Sequence, residues 1–209
     1  MTTPEYAELA RLGVSTVYEA AGRRGLLDHE WRQVVPGSRA CGPARTALCA
    51  TGDNRAVHEA VASLRPGEVL VLAMEDPQPF GIIGDLLVTQ MEYAGCAGVV
   101  VDSGVRDVEE LARMSVPVWT RWVRSRGATK EHRGAIDAPV TIGGVTVAPG
   151  DAVVLDSDGV VAVEQERVGT VVEAARDREI RERRAREDYR SGVLSYDRHG
   201  LRAYDEALS

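Results

Sequence analysis

The sequence predicts an α/β protein built on a parallel or mixed sheet. Two of the observations behind this are continuous apolar runs, residues 68–74 and 97–101, of the kind that form strands buried on both faces. The third is that helical periodicity follows each run, over 82–93 and 107–114, before another strand-like stretch at 116–119. Strands that alternate with helices need crossover connections, which make neighbouring strands parallel.

Residues 5–24 carry Leu9, Leu12, Val17, Ala20 and Ala21 near helical spacing. Gly13 followed by Ser15 and Thr16 divides them into two helices. Residues 26–43 read as loop, with Pro36-Gly37 and Gly42-Pro43 as turn signals, and 45–50 as a short strand. Over 54–64, Val57, Val61 and Leu64 share a helical face; Asp53 or Asn54 can cap it, and Pro66-Gly67 ends it. The pattern changes after residue 134. Residues 139–147 read as strand, Gly143-Gly144 turn and strand; 152–155 and 160–163 flank Asp156, Ser157, Asp158 and Gly159 as a second hairpin. Residues 164–190 form a long helix. Its first half presents Val168, Val171, Val172 and Ala175, and its second half alternates arginine and glutamate. Eight acids balance eight bases along it, which describes a solvated, ion-paired helix or one that leaves the core to reach a neighbouring subunit. No repeat or low-complexity linker divides the chain. Its 209 residues are expected to form a single domain able to bury about 70% of the unfolded surface.

Composition removes several classes of function. Hydrophobic residues at 44% and charged residues at 27% exclude a disordered or collagen-like chain. The uncharged stretch 138–150 is too short to cross a membrane and holds two prolines. The first residues lack a basic n-region and an apolar h-region, so the expectation is a cytoplasmic protein with no secretory leader. A net charge of −7 argues against sequence-independent nucleic-acid binding. Cys41, Cys49 and Cys96 are odd in number and form no Cys-x-x-Cys, so they read as small apolar core residues in a reducing compartment. Lys130 is the only lysine among 25 basic residues.

Two segments could carry chemistry. Phe80-Gly-Ile-Ile-Gly-Asp-Leu-Leu87 opens a helix whose free amides, approached past two glycines, suit a carboxylate or phosphate. Val101-Asp-Ser-Gly-Val-Arg-Asp107 leaves a buried strand, the end at which α/β sheets bind ligands. Arg106 can grip a carboxylate or carbonyl oxygen, and Asp107 can bind a hard cation. Read locally, Asp85 is equally a first-turn acid, Asp107 a helix cap and Arg106 an exposed ion-pair partner. Together they make Asp-x20-Arg-Asp. His58 stands one helical turn after Asn54, on the same face, where a structural histidine and a site histidine are both open readings. No Ser/His/Asp signature, P-loop or dinucleotide fingerprint occurs.

These segments, with Gly13 through Arg23, Gly52-Asp53-Asn54, Arg126 through Lys130, Pro149-Gly150-Asp151, Asp156 through Val160 and Ser191 through Leu194, together resemble one family over roughly residues 10–200. It is the class II pyruvate aldolases that cleave 4-hydroxy-4-methyl-2-oxoglutarate and 4-carboxy-4-hydroxy-2-oxoadipate; regulators of ribonuclease E activity share the fold without the aldolase site. The resemblance implies an α/β/β/α sandwich of the swivelling phosphohistidine-domain type, trimers or hexamers with sites between subunits, a small 2-oxo acid substrate, and Mg²⁺ or Mn²⁺. It makes Asp107 the direct metal ligand and Asp85 an acid holding water on the metal. It assigns Arg106 to the pyruvyl oxygen and the amides of Gly84, Asp85, Leu86 and Leu87 to the pyruvate carboxylate. Glu19, Asn54 and His58 become pocket-lining groups, with Glu19 and His58 expected to take part in catalysis, and Glu182 comes through water from a neighbouring chain. Two departures bear on the distal part of the substrate: Ala128 stands where relatives carry threonine, and the tail after Leu194 is short. The implied reaction is retro-aldol cleavage of a 4-hydroxy-2-oxo diacid, with oxaloacetate decarboxylation as a side activity. The alternatives are decarboxylation or tautomerisation of another 2-oxo acid at the same site, a Schiff-base aldolase using Lys130, and a non-catalytic binding protein.

Overall fold

Residues 4–208 are described by the computed structural model; residues 1–3, part of the stretch read for a leader, and residue 209 lie outside the described residues. Two helices come first, α1 (Pro4–Leu12) and α2 (Val14–Ala20). Gly13 between them has φ 82°, and the amide of Val14 donates to Asp156 Oδ2 at 2.9 Å, which anchors the second helix. The chain continues through β1 (Arg32–Gln33), β2 (Ala40–Cys49), α3 (Arg55–Ala62), β3 (Val69–Met74), β4 (Gly81–Ile83), α4 (Asp85–Tyr93), β5 (Gly98–Val105), α5 (Val108–Leu111) and β6 (Val118–Val123). Then come β7 (Ala135–Ile136), β8 (Val140–Ile142), β9 (Val145–Val147), β10 (Ala152–Asp156) and β11 (Gly159–Val163). A 3₁₀ turn at Gln165–Arg167 leads into α6 (Val168–Arg190), α7 (Ser195–Arg198) and α8 (Leu201–Leu208).

The main sheet runs β1-β6-β5-β3-β2-β10-β11, with β4 added to β5 and β7 to β2. Strands β2, β3, β5 and β6 are mutually parallel, whereas β10 and β11 pair antiparallel, so the sheet is mixed. Strand β2 belongs to both halves: residues 40–43 pair with β10 and residues 44–49 with β3. The sheet curls about that strand and faces itself.

Strand alternation fills three apolar layers. Leu70, Leu72, Met74, Val99 and Val101 point towards α3, α4 and α5. Val69, Val71, Ala73 and Val100 point the other way, against Val153, Leu155, Val160 and Ala162 of β10 and β11. The far faces of those strands, Val154, Val161 and Val163, pack on α1, α2 and the first half of α6. The result is helices, sheet, sheet, helices, in agreement with the predicted fold class. All three cysteines are buried and free. Among the described residues no helix is long and apolar enough to cross a membrane.

Three local expectations are corrected. Gly42-Pro43 is not a turn but lies within β2, where the strand changes partners; a Cβ on Gly42 would sit 2.0 Å from the Gly67 carbonyl oxygen, so the close approach of that turn selects glycine. Ile82 and Ile83 do not open a helix; they form β4, fully buried, and the helix starts at Asp85. Strand β5 does not stop at Val101 but continues through Asp102, Ser103 and Gly104, past a bulge against β6. Two of these residues are polar and read as loop, yet tertiary partners satisfy them: Ser103 Oγ donates to the Gln78 carbonyl at 2.6 Å and Asp102 pairs with Arg121 at 2.9 Å.

Candidate functional site

The Asp-x20-Arg-Asp spacing becomes a contact because β4 lies beside the end of β5. The chain leaves β4 through Gly84 into α4 and leaves β5 through Arg106 into α5, so both exits reach one edge of the sheet. Asp107 takes a left-handed conformation, φ 56° and ψ 39°, which aspartate tolerates better than most residues. Its Oδ2 accepts from the Asp85 amide at 3.3 Å and lies 3.5 Å from Arg106 Nε. Gly84 leaves room for this contact: a Cβ there would stand 2.3 Å from Asp107 Oδ2 and 3.0 Å from Arg106 Cγ and would push those side chains away.

A small cavity of about 150 Å³ opens at this junction. It is lined by residues 81–87, Asn54, His58, Arg106 and Lys130. The first i→i−4 bond at the start of α4 runs from the Val88 amide to Gly84 at 3.1 Å, so the amides of Leu86 and Leu87 lack helical partners. They and the helix dipole face the cavity beside a guanidinium, an arrangement suited to a small carboxylate. Asn54 Nδ2 donates to the Ile82 carbonyl at 2.8 Å, which leaves its Oδ1 buried and unpartnered; His58 Nε2 is likewise orphaned. Buried polar atoms of this kind normally find partners, so a polar ligand is the natural occupant. Burial and then the Lys130 charge hold the His58 pKa below its ordinary 6.5, and so keep the ring neutral near pH 7.

Sequence reasoning missed two groups here. Lys130, which the sequence offers as a Schiff-base former within the Arg126–Lys130 segment, lines the cavity. Asp53, treated as a helix cap, is the latch that places it. Its Oδ1 accepts from the Arg55 amide at 2.8 Å, and its Oδ2 accepts from Thr129 Oγ1 at 2.6 Å and from the amides of Glu131 and His132 at 2.7 and 3.2 Å. Burial works against the Asp53 charge, but these four donors hold its carboxyl well below the usual range. The Gly52-Asp53-Asn54 stretch carries the only local signal, as a turn before a helix. Ala128 packs on the core, and the Thr129 hydroxyl is spent on Asp53, so neither supplies a pocket hydroxyl.

Two expected pocket residues stand elsewhere in a single chain. Glu19 on α2 and Glu182 on α6 meet on the opposite helical layer: Glu19 Oε2 lies 3.2 Å from Arg23 Nε and 3.7 Å from Arg178 Nη1, and Glu182 lies 2.9 Å from Arg178 Nε and 3.1 Å from Arg186 Nη2. Within one chain the candidate carboxylates near the cavity are therefore Asp85 and Asp107, and no group of three or more acidic, histidine or cysteine side chains forms among the described residues.

The fold and the site define an α/β protein with a small pocket, lined by free helix amides and an arginine beside a pair of acids, at the exit of parallel strands. Residues 14–162 match the profile of the RraA-like family, described as Aldolase/RraA, and the chain belongs to that family. A relative from Halalkalibacterium halodurans named "Putative 4-hydroxy-4-methyl-2-oxoglutarate aldolase" is 32% identical over 167 residues, 80% of this chain and 77% of the relative. Streptomyces coelicolor RraAS2, described as an unusual member of the RNase ES inhibitor RraA protein family, superposes with a TM-score of 0.79 at 29% identity, covering 89% of this chain and 97% of that one. An uncharacterised protein from Pseudomonas syringae pv. tomato gives a TM-score of 0.82 at 27% identity over 93% and 96%.

Proposed function

We propose that the protein is a divalent-metal-dependent aldolase that cleaves a 4-hydroxy-2-oxo diacid to pyruvate and a second 2-oxo acid. The observation that carries this reading is the meeting of Asp85, Arg106 and Asp107 at the start of α4, beside a cavity lined by Asp85, Arg106 and two orphaned polar atoms. The relatives' name supplies the substrate class.

The donor set fits Mg²⁺ or Mn²⁺. Two carboxylates are hard oxygen ligands, and so few protein ligands leave positions for water and substrate, as Mg²⁺ sites commonly do. Asp107 would hold the ion directly and Asp85 through water. When bound, the metal supplies Lewis-acid stabilisation of the charge that develops on the keto oxygen.

The chain's own groups do the rest. The amides of Leu86 and Leu87 bind the substrate carboxylate, and Arg106 donates to the C2 oxygen. Lys130 offers a further positive charge, which suits the second carboxylate of a diacid. Asp85 orients a water that takes the proton from the C4 hydroxyl. The C3–C4 bond then breaks, its electron pair passes to the C2 carbonyl as an enolate facing Arg106, and protonation at C3 completes pyruvate. His58, neutral and with Nε2 open to the cavity, can hydrogen-bond the distal half of the substrate. The same geometry supports decarboxylation of oxaloacetate, where the electron pair comes from the departing CO₂. Glu19 and Glu182 share one face outside the cavity, so a single neighbouring copy in a trimer or hexamer would bring both.

The test is pyruvate release, coupled to lactate dehydrogenase, across a panel of 4-hydroxy-2-oxo diacids and oxaloacetate. Expected results are activity with a diacid, loss in EDTA, loss in Asp107→Ala, and no adduct when borohydride is added with pyruvate. Activity that survives EDTA, or a trapped Lys130, overturns the metal reading. The likeness to the RNase ES inhibitor family favours a second reading, a non-catalytic binding protein; no pyruvate from any substrate with Mg²⁺ or Mn²⁺ present would select it.

A further inference from the structure

We infer that Arg178 is a positioning residue for this reaction: it holds Glu19 and Glu182 together as one unit that acts on the pocket of a neighbouring copy. The inference rests on the preceding reading, in which the neighbour supplies those glutamates.

Glu19 and Glu182 lie on different helices, and without a cation between them their charges would drive the side chains apart. The Arg178 guanidinium stands in that gap, with Nη1 3.7 Å from Glu19 Oε2 and Nε 2.9 Å from Glu182 Oε1. A planar fork can serve two carboxylates at once, which a point charge cannot. Arg23 and Arg186 brace the pair from outside, at 3.2 and 3.1 Å. The group is also unfinished. Arg178 Nε is buried but out of hydrogen-bonding geometry with Oε1 despite the short distance. Among the described residues only three buried side-chain polar atoms lack a hydrogen-bond partner. Two belong to Asn54 and His58 in the cavity, and the third is this one.

Arg178 is not needed to hold α6 in place. Val168, Val171 and Val172 bury that helix, and Arg11 binds Glu179 at 2.7 and 2.8 Å while Arg176 binds Glu8 at 3.0 Å. A structural role and a positioning role thus predict different outcomes.

The experiment is Arg178→Met in the full chain. Expected are a kcat lowered about 10–100-fold, the effect typical of losing a residue that orients metal-site groups, with KM nearly unchanged, an unchanged melting temperature and only partial recovery in Arg178→Lys, whose point charge serves one glutamate at a time. Calorimetric affinity for oxalate, a planar mimic of enolpyruvate, weakens alongside. Mixed oligomers co-expressed from Arg178→Met and Asp107→Asn chains regain activity above either parent, because some sites then combine an intact pocket with an intact donated edge. Glu182→Gln mixed with Asp107→Asn is the control. If the control pair complements and Arg178→Met retains wild-type kcat, or loses it without complementing, the assignment of Arg178 is wrong. If the control pair fails to complement, the donated-edge reading itself falls and takes this inference with it.

Discussion

Gly84→Ala separates the chemistry of the pocket from the stability of the fold. The added methyl would stand 2.3 Å from Asp107 Oδ2 and 3.0 Å from Arg106 Cγ. Ordinary contact begins near 3.4 Å, so the carboxylate must retreat by about 1 Å and the arginine shift with it. A displacement of about 1 Å in a reacting constellation costs on the order of 100-fold, or about 2.7 kcal/mol of transition-state stabilisation. The backbone at 84 is extended, φ −154° and ψ −167°, which any residue adopts, so no strain adds to the steric cost. The side chains that give way are at the pocket wall, and the melting temperature should fall by no more than about 4 °C. The assay is coupled pyruvate release alongside thermal unfolding by circular dichroism. Gly169→Ala is the control, since its position in α6 has open space. A kcat/KM for Gly84→Ala within about threefold of wild type would refute the claim that the 84–107 contact organises the site.

Other expectations follow from single groups. His58, titrated by NMR, has its midpoint below 6.5, and Lys130→Met moves it upward because a repelling charge is gone; a midpoint at or above 6.5 contradicts the burial argument. Because the fold prefers the neutral ring, the stability this group contributes is whole above about pH 6.5 and is lost as pH falls through the folded value. Asp53→Ala strands the donors of Thr129, Glu131 and His132, so urea unfolding should show a loss of about 3 kcal/mol, and KM should rise as Lys130 drifts; a loss under about 1 kcal/mol argues against the latch. Burial pushes the Cys49 and Cys96 thiols up to about 12 and 11 and the Cys41 thiol higher still, so a thiol reagent at pH 8 should label none of the three in the folded protein and all three in denaturant.

The sequence by itself determined the layers of this protein. The apolar runs read at 68–74 and 97–101 name two buried strands, which form over Val69–Met74 and Gly98–Val105, because only side chains that avoid water on both faces can occupy them. The spacing of Val168, Val171, Val172 and Ala175 sets which face of α6 turns inward, and the resemblance pointed to Asn54, His58, Arg106 and residues 84–87, which line the cavity, and also to Asp107, Glu19 and Glu182, which do not. Local reading failed where polar or turn-forming residues are satisfied from a distance. Asp102 and Ser103 look like loop until Arg121 and Gln78 supply partners, and Gly42 looks like a turn until Gly67 packs against it.

Only the tertiary structure shows that the Asp107 carboxylate meets the Asp85 amide, that Lys130 belongs to the pocket, and that Glu19 and Glu182 stand together across the molecule from it. Each of these depends on strand order and on hydrogen bonds between segments far apart in the chain. Spacing along a chain fixes geometry only within one helix or strand; between elements it is the sheet, through the pairing of β4 with β5 and the latch at Asp53, that sets the distances.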